Sequence, residues 1–253
     1  MRRPYVLLFS TMTLDGRIAS STGYSMLSCS YDLARLRLLR GYVEAVMVGA
    51  NTVLADNPSL EKRIEPRTAR YYRIIVDGRL RTARHADKLR IYSGQGPPVI
   101  VITGLRDKEA IRLLKEHGAS IVVAGSDGRV DLRRALNILL EEYEINSILV
   151  EGGGILAYNL ARSGLLDEVR VTVTPFVFGS GRSIFDDPQG RGFTTTAESP
   201  KLELKCVEHC PCGHCIHLAY RFTPCCPAES SPEIPYCLSS RLAAYLSHRV
   251  EKG

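Results

Sequence analysis

The sequence predicts an α/β fold in which a mainly parallel sheet carries helices on both faces and ends in a C-terminal antiparallel hairpin. Two observations lead to this prediction. Up to residue 174, short runs rich in β-branched residues alternate with segments of helical periodicity. After residue 175 the helical periodicity stops, and segments 201–207 and 215–222 alternate polar and apolar residues around a Pro/Gly/Cys turn. Strands separated by helices favour a parallel sheet, whereas two strands joined by a turn favour a hairpin at its edge.

The individual elements follow from the same patterns. The predicted strands are the apolar runs at 5–9, 45–49, 73–77, 99–103, 120–124, 147–151 and 168–174. The predicted helices cover 31–41, 106–117, the segment after Asp131, and 152–163. Asp131 is a typical N-cap, and the helix behind it places on one face Leu132, Ala135, Leu136, Leu139 and Leu140.

Length and composition restrict the organisation of the chain. The sequence has 253 residues, which is within the size of one large domain, and we expect a main domain at 1–222. Residues 223–253 read as an extension that begins with a proline-containing wrap and ends in a short amphipathic helix at 238–250.

Charge and hydropathy exclude several classes of protein. Lys and Arg number 33 against 27 Asp and Glu, a net charge of +6, and much of the excess is arginine between residues 63 and 84. Such arginines suit phosphate ligands, while the absence of Trp and of a basic repeat interleaved with aromatics argues against nucleic acid. Apolar runs are far shorter than the roughly 18 residues of a membrane span, and the N-terminal run is too short for a secretory signal. We therefore expect a cytoplasmic protein without a membrane segment.

The strongest local motif is a predicted strand that runs directly into three glycines at 152–154, where a helix is predicted to begin. Glycines permit close approach of backbone N–H groups, and a helix N-terminus favours a phosphate. A tight strand-to-helix turn would explain the same glycines without a ligand. Glu151 precedes them at the carboxyl end of a strand, where ligands bind in open α/β sheets, so a hydrogen-bonding role there competes with simple exposure.

A second motif follows the strand at 45–49. Thr52 and Asp56 are four residues apart, so one helical turn would direct both side chains into the same cleft. A capped turn that stops at Asn57 and Pro58 is the alternative. The segment MTLDGR at 12–17 is explained by turn formation alone.

Together these segments resemble the riboflavin-biosynthesis reductases. The motifs are MTLDGR at 12–17, VGANTVLADNP at 48–58, IVD at 75–77, VEGGG at 150–154 and DEVR at 167–170, in the order of that family. The family includes stand-alone archaeal and fungal enzymes and the reductase domain of the bacterial bifunctional deaminase-reductase. The resemblance covers residues 4–222 and implies a dihydrofolate-reductase-like fold, normally a homodimer, with residues 1–222 as the reductase domain.

The activity that the resemblance implies is reduction of the ribosylamino group of a phosphoribosylaminopyrimidine to ribitylamino, with NADPH as reductant and NADH left open. Because no deaminase-like segment precedes this region, the resemblance favours the substrate 2,5-diamino-6-ribosylamino-4(3H)-pyrimidinone 5′-phosphate over its uracil counterpart. The alternatives are a pterin or dihydrofolate-type reductase of the same fold and a non-catalytic nucleotide-binding module.

The matching positions imply three groups of site residues. The implied NADPH contacts are Thr52, Asp56, Val76, Asp77, Gly78, Arg79, Val123, Ala124, Gly152, Gly153, Gly154 and Ile155. The implied substrate contacts are Ser28, Arg40, Leu60, Arg63 and Glu151, with Arg63 suited to the 5′-phosphate. Asp56 and Glu151 are the candidates for catalytic assistance, although binding alone would also explain them.

The cysteines form a separate feature. Seven of the eight lie between Cys206 and Cys237, and the exception is Cys29. Cys212 and Cys215 have the spacing of half a zinc site, for which Cys225, Cys226 or Cys237 would supply further ligands. Disulfide bonds, or small apolar residues in a tight turn with Cys29 buried, explain the pattern equally, and we assign no metal ligand from the sequence.

Overall fold

The computed structural model describes residues 2–94, 96–223 and 228–243. The helices of the described chain are α1 (Ser30–Tyr42), α2 (Ala50–Asp56), α3 (Lys108–Glu116), α4 (Leu132–Tyr143) and α5 (Gly154–Arg162). Its strands are β1 (Tyr5–Thr13), β2 (Arg17–Ala19), β3 (Ala45–Gly49), β4 (Tyr72–Val76), β5 (Val99–Thr103), β6 (Ala119–Val123), β7 (Gly125–Ser126), β8 (Arg129–Val130), β9 (Ser147–Val150), β10 (Glu168–Thr174), β11 (Arg182–Ser183), β12 (Leu202–His209) and β13 (Ile216–Phe222).

Nine of the described strands form one sheet in the order β12-β13-β10-β1-β9-β3-β4-β5-β6. Pairing is parallel from β10 to β6 and antiparallel for β13 against β10 and for β12 against β13. The predicted fold class, a mainly parallel sheet with a hairpin at one edge, is thereby confirmed.

The predicted elements are found, and several of them begin or end at other residues than predicted. Strand β1 continues four residues beyond the apolar run 5–9, because Ser10 to Thr13 stay in register with β10. Helix α3 begins at Lys108 because the Asp107 carboxylate accepts hydrogen bonds from the backbone N–H groups of Glu109 and Ala110. Asp131 caps α4 as predicted, accepting from the N–H of Arg134 at 3.0 Å.

Helices cover both faces of the sheet because alternate strand residues point to opposite sides. From β1, Val6 and Leu8 face one cluster with α4 and α5, whereas Leu7 and Phe9 face a second cluster with α1. A third cluster packs α3 and the segment 80–92 against β3, β4 and β5. Among the described residues, no helix has the length and apolar character that a membrane crossing demands.

Part of the C-terminal extension belongs to the core of the molecule. Ile234, Leu238 and Leu242 are buried in the cluster beneath α1. A disulfide joins Cys206 of β12 to Cys237, and residues 239–243 are helical. The remainder of the predicted helix at 238–250, like Cys225 and Cys226, lies outside the described residues.

Candidate functional site

A cleft of about 570 Å³ lies at the carboxyl ends of β1, β9 and β3, which are neighbours in the sheet. The chain leaves β1 toward one edge of the sheet and later returns to place β9 beside it, while α2 follows β3 and α5 follows β9. Such a reversal of strand order is where open α/β sheets bind ligands. We refer to this space as the first cleft.

The first cleft brings together eight residues that the sequence singled out. They are Ser28, Thr52, Asp56, Glu151, Gly152, Gly153, Gly154 and Ile155. The predicted single helical turn around Thr52 and Asp56 is α2, which ends at Asn57 in the left-handed conformation. The fold therefore brings residues of both motifs to one cleft.

The three glycines play different parts. Gly153 has φ +90°, a conformation that favours glycine, and a Cβ there would still be 3.7 Å from the nearest atoms. At Gly152 a Cβ would come within 3.3 Å of Thr52 Oγ1. A Cβ on Gly154 would collide with the carbonyl oxygen of Ser183 at 2.2 Å, so Gly154 permits loop packing. Gly152 lets Thr52 pack closely, and Gly153 is the N-cap residue of α5, where a glycine keeps the helix N-terminus free of a side chain, so the turn fits a phosphate cradle.

Glu151 is held by a cation at the back of the cleft. Arg40 Nε and Nη2 donate to its two carboxylate oxygens, each at 2.6 Å. The side chains of Arg40 and Glu151 are only 11% and 5% exposed. Burial alone would lower the pKa of Arg40, but the Glu151 carboxylate outweighs burial and raises it. The two predicted substrate contacts thus form a charged pair that fixes α1 to the end of β9.

Asp56 has a different environment. It lies at the end of α2 on the wall of the cleft, opposite Arg182. Desolvation raises the pKa of the Asp56 carboxyl, while the positive charge of Arg182 acts against that rise. Asp56 is therefore a carboxyl whose pKa is moved toward neutrality.

A buried hydrogen-bond chain supports the floor of the cleft. Ser28 Oγ donates to Thr11 Oγ1 at 3.1 Å, and Thr11 Oγ1 donates to Asp32 Oδ2 at 2.6 Å. The other oxygen of Asp32 accepts from Thr172 Oγ1, which also contacts His217 Nδ1 at 2.7 Å. This chain joins β1, α1, β10 and β13 beneath Ser28.

Three predicted substrate contacts lie away from the lining of the first cleft: Arg40, which pairs with Glu151, Leu60 and Arg63. Leu60 is buried among apolar residues of β3 and β4. Arg63 donates to the carbonyl oxygens of Arg40 and Thr68, and its guanidinium lies 4.3 Å from the centre of the Tyr71 ring. In this conformation the Arg63 guanidinium anchors the segment beside α1.

A second cleft of about 1030 Å³ continues from the first across Asn51, Gly153 and Ile155. Val76 and Gly78, both predicted cofactor contacts, line it. So do four arginines, namely Arg81, Arg129, Arg133 and Arg162. The second cleft therefore offers positive charge at the far side of the glycine turn.

The other predicted cofactor contacts, Asp77, Arg79, Val123 and Ala124, line neither the first nor the second cleft. Asp77 is buried, and its Oδ2 accepts from the N–H and Oγ1 of Thr82. Arg79 packs against Gly128. Val123 ends β6 and Ala124 follows it, and the backbone N–H and carbonyl of Ala124 are both bonded to protein.

Sequence reasoning missed residues that only the tertiary structure brings to the clefts. Arg182 begins the two-residue strand β11, Asp186 lies in the loop after it, and this part of the sequence has no periodic pattern. Asn51 lines both clefts, and its Oδ1 accepts from Arg81 at 2.7 Å. No local signal marks these residues, although Asn51 lies inside the second motif.

Comparison with known proteins adds to this geometry. The model of the RibD C-terminal domain matches residues 4–218. The chain belongs to the RibD C-terminal domain family. A relative from Methanothermobacter thermautotrophicus, 2,5-diamino-6-ribosylamino-4(3H)-pyrimidinone 5′-phosphate reductase, is 39% identical over 208 residues, 80% of this chain and 92% of that protein. The resemblance inferred from the motifs is confirmed.

Other members of the RibD C-terminal domain family differ in length. Riboflavin biosynthesis protein RibD of Actinobacillus pleuropneumoniae is 33% identical over 82% of this chain, which spans 54% of that protein. The structure of Acinetobacter baumannii RibD superposes with a TM-score of 0.71 at 26% identity, over 87% of this chain and 58% of that one. The riboflavin biosynthesis reductase Rib7 of Saccharomyces cerevisiae shares the fold with a TM-score of 0.65 at 23% identity, over 87% and 90% of the two chains. The dihydrofolate-reductase-like fold is thus confirmed.

Proposed function

We propose that this chain is the NADPH-dependent reductase that converts the ribosylamino group of 2,5-diamino-6-ribosylamino-4(3H)-pyrimidinone 5′-phosphate to ribitylamino in riboflavin biosynthesis. The observation that carries the proposal is the pair of joined clefts, one with carboxylates and hydroxyls and one with arginines, meeting at a glycine turn. A relative with that activity matches the chain along 92% of its own length.

The glycine turn and the second cleft hold the cofactor in this proposal. The N-terminus of α5, preceded by Gly152 and Gly153, which carry no side chains, receives the pyrophosphate. Arg81, Arg129, Arg133 and Arg162 provide the charge that a 2′-phosphate needs. When bound, NADPH would supply the hydride for the reduction.

The first cleft holds the substrate. Arg40 fixes Glu151 so firmly that we assign Glu151 to orientation of the substrate rather than to proton transfer. Asp56, whose pKa is raised, is the carboxyl better suited to exchange a proton as the ribose ring opens. Ser28 adds a hydroxyl to the cleft, and Arg182 adds a positive charge suited to the 5′-phosphate. Arg63 reaches the phosphate only if its contacts with Arg40 and Thr68 change.

The activity is tested by following NADPH oxidation with the diamino substrate, the corresponding uracil substrate and dihydrofolate in parallel. We expect turnover with the diamino substrate and a lower kcat/KM with the uracil form. Reduction of dihydrofolate alone would move the chain to the pterin-type reductases. Binding of NADPH without turnover of any substrate would favour a nucleotide-binding module.

The cofactor preference is tested at Arg129. The Arg129→Ala variant is expected to raise KM for NADPH by roughly tenfold and to leave KM for NADH nearly unchanged. A tenfold change corresponds to about 1.4 kcal/mol of binding free energy. An equal effect on both cofactors would contradict a role with the 2′-phosphate. Arg191→Ala, an exposed arginine outside both clefts, is the control.

A further inference from the structure

Four cysteines meet at one end of the hairpin β12–β13, three from the turn of the hairpin and one from a distant part of the chain. Cys210, Cys212 and Cys215 belong to the turn that joins the two strands. Cys29 is the N-cap residue of α1, where its Sγ accepts from the N–H of Asp32 at 3.4 Å. The side chains of Cys210 and Cys215 are buried, and those of Cys29 and Cys212 are half-buried.

The separation of three of the sulfur atoms is that of metal ligands, and the fourth cysteine, Cys215, lies beside one of the three. Cys29 Sγ lies 3.6 Å from Cys210 Sγ, and the sulfurs of Cys29, Cys210 and Cys212 all lie within 4.8 Å of one another. The Cys215 thiol interacts with that of Cys212. With a Zn–S bond of about 2.3 Å, two sulfurs of a tetrahedral site are about 3.8 Å apart, whereas a disulfide requires about 2.05 Å.

We propose that Cys29, Cys210, Cys212 and Cys215 form a tetrathiolate site for one zinc ion. The set differs in two ways from the alternatives that the sequence left open. Cys237 is joined to Cys206 by a disulfide and so is not a ligand, and Cys29, which the sequence suggested was simply buried, belongs to the set. Four sulfur ligands in tetrahedral arrangement favour zinc or iron over harder cations, and the closed set of four is typical of structural zinc.

The backbone of the turn already holds three of the ligands in place. The Cys210 N–H donates to the carbonyl oxygen of Cys215 at 2.9 Å, and the Gly213 N–H donates to that of Cys210 at 2.9 Å. Gly213 has φ +80°, which lets the chain turn back between Cys212 and Cys215. His217 is not part of the group of ligand atoms within 4.8 Å of one another, and its Nδ1 is bonded to Thr172 Oγ1 at 2.7 Å.

The proposed ion would fix one wall of the first cleft. Cys29 directly follows Ser28, and the loop before it supplies Gly23 and Ser25 to the lining. A bond through zinc would tie this loop and the start of α1 to a hairpin that lies 181 residues further along the chain. We assign the four cysteines a positioning role, with no contact to the substrate.

The test is the metal content of the full-length chain, purified under reducing conditions and passed through chelator-treated buffer. Elemental analysis is expected to find zinc at about one equivalent per chain. Exchange for Co²⁺ is expected to give the absorption bands of a tetrahedral thiolate complex. This readout is independent of activity, so it separates the zinc site from the proposed function.

Two variants sharpen the result. Cys212→Ser, in the half-buried part of the turn, is expected to lose most of the bound zinc. The control, Cys206→Ser with Cys237→Ser, removes two other sulfurs near the same hairpin and is expected to retain the zinc. Wild-type protein without metal, whether its four thiols are free or Cys29 and Cys210 are oxidised to a disulfide, would overturn the proposal. One equivalent of iron in place of zinc would overturn the choice of ion.

Discussion

At the scale of single residues, the site depends on charges whose partners the fold supplies. Arg40 and Glu151 are 111 residues apart in sequence and form two hydrogen bonds at 2.6 Å in a nearly closed environment. Gly153 contributes through the absence of a side chain at a helix N-terminus. Single substitutions can test both the Arg40–Glu151 pair and Gly153.

We expect Gly153→Asp to weaken NADPH binding by roughly tenfold or more. A carboxylate at that position would repel the pyrophosphate by at least about 1.4 kcal/mol and fill part of the cradle. Fluorescence titration with NADPH measures the effect. Gly190→Asp is the matched control. Gly190 has a positive φ like Gly153, it has open space around it, and it lies outside both clefts. Unchanged affinity in Gly153→Asp would remove the cradle assignment.

We expect Glu151→Ala to lower the free energy of unfolding by about 3 kcal/mol, because it leaves the Arg40 guanidinium buried without its partner. Removing both charges, in Arg40→Leu with Glu151→Leu, should cost less than the sum of the single changes. Denaturant unfolding of the three variants forms a double-mutant cycle. Additive effects would mean that the two side chains do not stabilise each other.

At the scale of elements, the sequence predicted the sheet and most helices because their signal is local periodicity. Strands β3, β5 and β10 were predicted with the bounds that the structure has. The continuation of β1 through Ser10 to Thr13 was not, since three of its four residues are polar and the neighbouring β10 holds them in the sheet. The packing of the C-terminal segment was also not evident, because the amphipathic pattern predicted at 238–250 does not indicate which surface the segment covers.

That packing leads to a prediction about stability. Leu238 is fully buried beneath α1, and Leu238→Ala is expected to lower the free energy of unfolding by about 2–5 kcal/mol. Leu14→Ala, at a residue that is 70% exposed in the turn after β1, is the control and should change stability by less than about 0.5 kcal/mol. Equal effects of the two changes would show that the extension is not part of the cooperative core.

At the scale of the whole molecule, the hairpin edge leaves apolar surface uncovered. Leu204, Val207 and Ile216 on β12 and β13 are at least 40% exposed. Large apolar side chains clustered at one place on a surface are typical of interaction sites. The homodimer implied by the family resemblance would cover them with a second copy of the chain.

We therefore expect the protein to be a dimer in light scattering and Val207→Glu to shift it toward the monomer, since the change would bury an unpaired charge at the interface. Lys115→Glu, on α3 near the opposite edge of the sheet, should stay dimeric. A dimer that persists in Val207→Glu would place the interface elsewhere.

The sequence by itself determined the fold class, the order of strands and helices along the chain, and the two motifs that meet in the first cleft. These properties follow from local periodicity, capping and glycine at a strand-to-helix turn, all of which act within a few residues. Only the tertiary structure decided that Arg40 neutralises Glu151, that Arg63 packs on Tyr71, and that Cys29 joins a hairpin at the far end of the chain. Contacts between distant residues depend on how the strands are ordered in the sheet, and a local pattern carries no information about that order.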